Sequence, residues 1–390
     1  MTVDAPTVAD AAALLDSARR VGLDAAGPHA ADVDKHARFP VETISALREA
    51  GLMSALVPAE FGGAGATLRT VSEVVTILAR HCSSSALIYA MHQSQVACLV
   101  RHSQQESVRE VLRGIVDGQL LVASATTEIG IGGDVRSSTC AVERDGDNYR
   151  LRKQAPVISY GAFADLILAT ARRDVDSAPH DQVLVICPAD GVVLEQTGSW
   201  DTLGFRGTCS NGYLLTAEGD ASLVMADPYA DISSQTMLPA AHLLWASAWL
   251  GIAEEAADRA RRFVQAAARA KLGTTPPGAL RLAELFAELQ LLRDLVDGAL
   301  RRFEAIADDR EALSGASVTV ALNSLKVSAS SLAVDVVSRA MLICGIAGYR
   351  EDSPYSLGRL LRDAFGAELM VNNDRISHHN AQLLLVAKDA

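Results

Sequence analysis

The sequence predicts an α+β fold, mostly α, in three parts: an N-terminal helical domain over 1–120, a middle β-barrel-like domain over 121–228, and a C-terminal four-helix bundle over 229–390. Three observations predict it. Apolar residues recur at three- and four-residue spacing toward both ends of the chain, the signature of helices with one buried face. The centre changes to short runs rich in β-branched residues. A chain of 390 residues also exceeds what one hydrophobic core organises.

Each element has its own local cause. Over 8–118, Ala11-Ala12-Ala13-Leu14-Leu15 and Val41-Glu42-Thr43-Ile44-Ser45-Ala46-Leu47 carry the helical period. Pro40 suits a helix start, where its missing N–H costs nothing, and Gly51 follows the helix end. The segment 58–65 reads as a loop, and 70–80 resumes the period. Within 120–226, strand-like runs occupy 140–144, 149–151, 166–170 and 183–187, with Asp145-Gly146-Asp147-Asn148 as a hairpin signal between the first two. Helices return at 246–264, 280–305, 318–343 and 374–387, and Thr274-Thr275-Pro276-Pro277-Gly278 breaks the first from the second. Their wide Ala/Leu-rich faces suit an antiparallel bundle with an oligomer interface.

Apolar residues are 49% of the chain and aromatics only 5%, which suits Ala/Leu-packed helices. A net charge of −12 argues against a nucleic-acid partner, whose phosphates need a basic stripe. The six cysteines are scattered without a CxxC pair, as expected of buried thiols in a reducing compartment. The first 31 residues lack the basic-then-apolar order of a signal peptide, and no apolar run reads as long and charge-free enough to span a bilayer. A cytoplasmic protein with no membrane partner is expected. His378-His379 matches no metal-ligand spacing, so no metal site is expected.

The chemistry concentrates in Thr127-Glu128-Ile129-Gly130-Ile131-Gly132-Gly133-Asp134. Glycines without Cβ let backbone N–H groups approach a flat or anionic ligand. A Rossmann reading of Gly130-Ile131-Gly132-Gly133 fails, because no βαβ unit surrounds it. The second signature is Trp200-Asp201-Thr202-Leu203-Gly204-Phe205-Arg206-Gly207-Thr208-Cys209-Ser210. Together, with helical sequence on both sides, the two resemble the middle domain of the acyl-CoA dehydrogenase family of flavoproteins. Further segments resemble the same family in order: 39–52, 57–65, Arg269-Ala270-Lys271-Leu272-Gly273, Cys344-Gly345-Ile346-Ala347-Gly348-Tyr349 and Leu361-Arg362-Asp363-Ala364.

The resemblance implies FAD, with FMN as the alternative, held between the β domain and the C-terminal bundle. It assigns Ser124, Thr126 and Thr127 to the isoalloxazine edge, and Gly132 and Gly133 to the pyrophosphate or acyl carrier. Val157 and Ser159 would lie along the ring, with Ser159 near N5, while Arg269 and Gly345 would reach a neighbouring subunit's flavin. It further implies a homo-oligomer, dimer or tetramer, an acyl thioester or other small-molecule substrate, and an electron-transfer partner or O2.

The chain also departs from the pattern. The family's proton-abstracting Glu sits seven residues after the Ala of R-D-A, and that position is Val371. The alternative helix position falls near Ala241 and His242. Val157 replaces the usual aromatic on the flavin face. Glu368, one helical turn before Val371, and His92 are the substitute bases. The ordinary alternatives are a solvated helix face for Glu368 and a satisfied core histidine for His92. Three functions remain in view: α,β-dehydrogenation of an acyl thioester on CoA or a carrier protein, flavin-dependent monooxygenation on the same fold, and a non-catalytic subunit of a heteromeric flavoprotein.

Overall fold

The structure, a computed structural model, describes residues 8–131, 135–271 and 273–386. Six helices form the N-terminal part: α1 (Val8–Val21), α2 (Gly27–His36), α3 (Val41–Glu49), α4 (Leu68–His81), α5 (Ser83–Arg101) and α6 (Glu106–Gly118). Pro40 caps α3 and Gly51 follows it at φ +69°. Thr67 caps α4 by accepting the Thr70 N–H at 3.2 Å. α6 is amphipathic and buries Val108, Leu112 and Ile115, while α5 is buried on nearly every side.

The barrel-like middle domain is made of two sheets. β1 (Val122–Ala125) runs parallel to β4 (Leu166–Arg172), which pairs antiparallel with β5 (Gln182–Pro188). The second sheet is antiparallel, in the order β2 (Glu143–Asp145), β3 (Asn148–Ala155), β7 (Gly212–Asp220), β6 (Val192–Gly198). β3 alternates exposed and buried residues, as a half-solvated strand must, whereas β4 and β5 are buried almost throughout. Tyr149, Leu151, Leu215 and Ala217 of one sheet share a core with Ile167, Ala169, Val183 and Val185 of the other. The hairpin forms where expected: Asp145 pairs with Asn148 across Gly146-Asp147, with Gly146 at φ +61°.

The C-terminal part comprises α7 (Tyr229–Ile232), α8 (Leu238–Ala270), α9 (Ala279–Ile306), α10 (Arg310–Leu313), α11 (Ala316–Cys344), α12 (Ile346–Tyr349), α13 (Gly358–Leu369) and α14 (Asn373–Val386). α8 packs against α9 and α11 of its own bundle and against α4 and α5 of the first domain. Trp249 is fully buried within it. A Cβ at Gly251 would overlap the Thr76 carbonyl, so this glycine sets how closely α8 crosses α4. One expectation is corrected here. Two helical stretches, Tyr229–Ala270 and Ala316–Cys344, are long and apolar enough to cross a membrane by length and composition. Helices buried in a bundle meet the same criterion, and most of the apolar stretch containing α8 is buried inside the protein.

Candidate functional site

β1 leaves its sheet at Ala125, and the chain runs through Thr126 and Thr127 to Glu128. Glu128 is the anchor of this exit. Its carboxylate lies 3.0 Å from the Lys153 ammonium and accepts Ser138 Oγ at 2.6 Å, Cys140 N–H at 2.8 Å and the Thr139 hydroxyl. Both side chains of the pair are buried, at 3% and 0% exposure. Burial alone would raise the Glu128 pKa, but the Ser138 and Thr139 hydroxyls and then Lys153 hold it below the usual value. Lys153 also donates to the Thr170 carbonyl at 2.9 Å, tying β3 to β4. The acidic residue of the glycine-rich motif therefore fixes the loop rather than facing a ligand. Gly130 follows, exposed at φ +96°, while Gly132 and Gly133 lie outside the described residues.

The stretch after β3 runs beside this exit. Ile158 and Tyr160 point inward and their N–H groups bond the Asn211 and Thr208 carbonyls at 2.9 and 2.7 Å. Alternation leaves Val157 and Ser159 half-buried on the other side. Thr127 Oγ1 donates to the Val157 carbonyl at 3.1 Å, joining the two segments across 30 residues of sequence. Ser159 Oγ accepts from Ser210 Oγ at 2.8 Å, and Ser210 in turn meets Thr208 Oγ1 at 2.8 Å. Ser124, Thr126, Thr127, Val157 and Ser159 are all half-buried on these two segments. An aliphatic side chain with hydroxyls around it suits a flat, polar-edged ring, so the residues present fit a flavin.

The second motif builds a latch where the middle sheets meet α13. Asp363 on α13 accepts the Phe205 N–H at 2.6 Å, and burial raises the Asp363 pKa. Arg362 grips the Asp34 carboxylate through both terminal nitrogens, at 2.9 and 2.5 Å, and donates to the Leu203 carbonyl at 3.0 Å. Arg206 donates to the Asp34 carbonyl at 3.0 Å. All three parts of the chain meet here. A Cβ at Gly204 would overlap the Arg362 carbonyl, and the Phe205 ring leaves no room for one at Gly366. Tyr160, Phe205, Cys209 and Val371 all have positive φ without being glycine, so backbone strain gathers in the motifs that frame the site.

The candidate bases lie apart from one another. His92 is wholly buried, with Nε2 on the Met53 carbonyl at 2.7 Å and Nδ1 accepting the Val122 N–H at 3.0 Å. Burial pushes its pKa down to about 4. Both ring nitrogens are committed to backbone, so His92 joins α5 to β1 and neither nitrogen is available to a substrate. Glu368 is half-buried and accepts the Ser331 hydroxyl at 2.8 Å. Val371 sits in the turn between α13 and α14 at φ +43°. His242 is buried on α8 with Nδ1 on the Leu322 carbonyl at 3.1 Å, and burial lowers its pKa to about 4. Arg269 and Gly345 are exposed near the C-terminal ends of α8 and α11, and a Cβ at Gly278 would meet Val264 of the first and Ile343 of the second.

A cavity of about 210 Å³ between α9 and α11, lined in part by Phe303, Val318 and Leu322, shares no lining residue with the segments that carry Thr127 and Ser159. Sequence reasoning missed Lys326, which is buried beneath Val371. It interrupts an otherwise uncharged stretch of α11 before Asp335, and that was its visible signal.

Comparison with known proteins agrees with this fold. The family descriptions "Acyl-CoA dehydrogenase, N-terminal domain" and "Acyl-CoA dehydrogenase, C-terminal domain" match residues 9–119 and 233–370. The chain is 24% identical to cyclohex-1-ene-1-carbonyl-CoA dehydrogenase of Syntrophus aciditrophicus, over 93% of this chain and 87% of that one. Its fold is similar to butyryl-CoA dehydrogenase from Megasphaera elsdenii, with TM-score 0.81, 22% identity, and coverage of 98% of this chain and 100% of that one. It is also similar to FMN-bound TdsC, a dibenzothiophene monooxygenase from Paenibacillus sp. A11-2, with TM-score 0.79, 20% identity and 97% of each chain covered. With both terminal domains matched over more than half of its length, the chain belongs to the acyl-CoA dehydrogenase family, flavoprotein oxidoreductases acting on CH–CH groups.

Proposed function

We propose that this chain catalyses FAD-dependent α,β-dehydrogenation of an acyl thioester, carried on CoA or a carrier protein, with Glu368 as the proton-abstracting carboxylate. The observation that carries the reading is the edge formed by Thr127, Val157 and Ser159, where hydroxyls and an aliphatic face converge at the mouth of the β domain. Flavin, when bound, supplies the hydride acceptor. Thr127 and Ser159 orient the ring, and the aliphatic Val157 covers part of its face and excludes water. Glu368, with Ser331 holding one oxygen, takes the substrate's α-proton. FAD is preferred over FMN because Arg269 and Gly345 stand exposed at one bundle end, where a neighbouring subunit's dinucleotide could use them. A homo-oligomer follows from that arrangement. The six free cysteines support a reducing, cytoplasmic setting.

One observation favours a second reading. The family's base position carries Val371, which suits an oxygen-using flavoenzyme that needs no α-proton abstraction. The visible spectrum of the purified protein separates them. Anaerobic bleaching of bound flavin by a member of an acyl-CoA panel supports dehydrogenation. A flavin hydroperoxide spectrum on mixing the reduced protein with O2 supports oxygenation instead. A chain that stays colourless with both FAD and FMN overturns both, in favour of a non-catalytic subunit. Acid release of the bound flavin and chromatography identify FAD or FMN.

A further inference from the structure

We propose that Lys326 is the positioning residue of this site: from inside the bundle its side-chain nitrogen holds the turn between α13 and α14, and so fixes the Val371 backbone where the family carries its base. The proposal rests on the function proposed above for its meaning in catalysis, and on geometry alone for the lock itself.

Lys326 is fully buried on α11. Its Nζ donates to the Val371 carbonyl at 3.1 Å and to Asn373 Oδ1 at 2.6 Å, and lies 5.7 Å from the centre of the Trp249 ring. Both hydrogen-bond partners are neutral. A buried ammonium with neutral partners is costly, so its presence asks for a reason. The reason lies one bond away. Val371 is β-branched and sits at φ +43°, a left-handed conformation that such a residue adopts only when its surroundings impose it. The turn is gripped from both sides. Asn372 caps α14 by accepting the Asp374 and Arg375 N–H groups at 2.9 and 3.3 Å. Asn373 bridges Lys326 to Ser330, donating to Ser330 Oγ at 3.0 Å.

Nζ is enclosed and donates to the Val371 carbonyl and Asn373 Oδ1, so it acts on the turn. The titratable groups that face it are His242 from α8, neutral because burial holds it near 4, and Glu368 from α13, whose carboxylate favours the ammonium. Burial outweighs Glu368 and lowers the Lys326 pKa to about 8. Above that pH the group becomes a neutral amine and a weaker donor to the Val371 carbonyl.

The test uses the full-length protein, with amide hydrogen exchange over 369–374 expressed as protection factors from about pH 6.5 to about pH 9.5. Protection in the wild type is expected to fall as pH passes about 8, and in Lys326→Met to be about tenfold lower at pH 7 and flat with pH. In a Val371→Gly background the same Lys326→Met change is expected to alter protection by less than about threefold, because glycine needs no holding at positive φ. With a substrate that bleaches the flavin, Lys326→Met is expected to lower kcat about tenfold at a KM within about threefold. Unchanged protection and pH profile in Lys326→Met, or an equal loss in both backgrounds, overturns the lock. If Lys326→Met fails to fold, Asn373→Ala, which removes one of the two hydrogen bonds of Nζ, decides: unchanged protection over 369–374 overturns the lock. A wild type that binds no flavin overturns the proposed function, while the exchange data still decide the lock.

Discussion

The middle domain meets the helices at two neighbouring places built on opposite principles. At the latch, Asp34, Phe205, Arg362 and Asp363 satisfy one another at short range, and glycines at 204 and 366 admit the close approach. At the proposed flavin edge, Ser124, Thr126, Thr127 and Ser159 remain half-exposed on backbone held rigidly from behind by Glu128 and Lys153. The difference shows how this family motif divides its labour. Glu128 is consumed by the fold, whereas the Thr127 and Ser159 hydroxyls, bonded to the Val157 carbonyl and to Ser210, stay half-exposed. A buried charge must be paired, whereas a hydroxyl tolerates either water or a flavin edge.

The hardest blow to this comparison is Glu128→Ala. It leaves Lys153 buried and unpaired, so a loss of about 3–5 kcal/mol is expected in urea unfolding. A loss below about 1 kcal/mol would mean that the carboxylate belongs to the flavin edge after all. Next comes a pH effect with a definite sign. Lys326 has a folded-state pKa near 8, below its ordinary 10.5, so the unfolded chain binds the extra proton between those values. Wild-type stability is therefore expected to rise with pH across that window, relative to Lys326→Met, by on the order of 2 kcal/mol in parallel unfolding curves. The lock on Val371 weakens over the same range in which the fold gains.

Gly204→Ala sharpens the closed side. Its Cβ would overlap the Arg362 carbonyl, and about 1–3 kcal/mol of destabilisation is expected in thermal unfolding. Little change would mean that the latch yields more easily than its packing implies. Ser159→Ala probes the open side and is the smallest effect. It removes one neutral hydrogen bond to Ser210, worth about 0.5–1.5 kcal/mol, and the ring contact proposed above for the same hydroxyl. Weaker flavin retention in dialysis, by roughly three- to tenfold, is expected with little shift in the unfolding midpoint. A large midpoint shift at unchanged retention would place Ser159 with the latch.

Much of the fold was legible because periodicity is a local property. The long helices and the Asp145–Asn148 hairpin follow from spacing that any short window contains. β6 and β7 were not read, because Val192–Gly198 is an edge strand with mostly exposed residues, and Gly212–Asp220 carries glycines and acidic residues at its ends. α13 was read only as an R-D-A motif, since its 12 residues are mixed in character and Gly366 interrupts them. At the site, the resemblance named Thr127, Val157 and Ser159, and the structure places Thr127 against the Val157 carbonyl with Ser159 two residues on. The roles of Glu128 and His92 were not legible, because Lys153 and the Met53 and Val122 backbone groups reach them only in three dimensions. Lys326 carries no motif at all, and a buried ammonium announces itself only through what surrounds it.

The left-handed bends at Tyr160, Phe205, Cys209 and Val371 have a practical corollary for anyone seeking a heat-tolerant variant. Substituting glycine relieves torsional stress, and at the exposed Val371, unlike the buried Tyr160 and Phe205, no packing is lost with the side chain, so random libraries screened for survival at high temperature should accumulate changes there. Val371 occupies the position where the family carries its base. Hardier mutants selected blindly would then loosen that turn, and a sound library would hold this position constant.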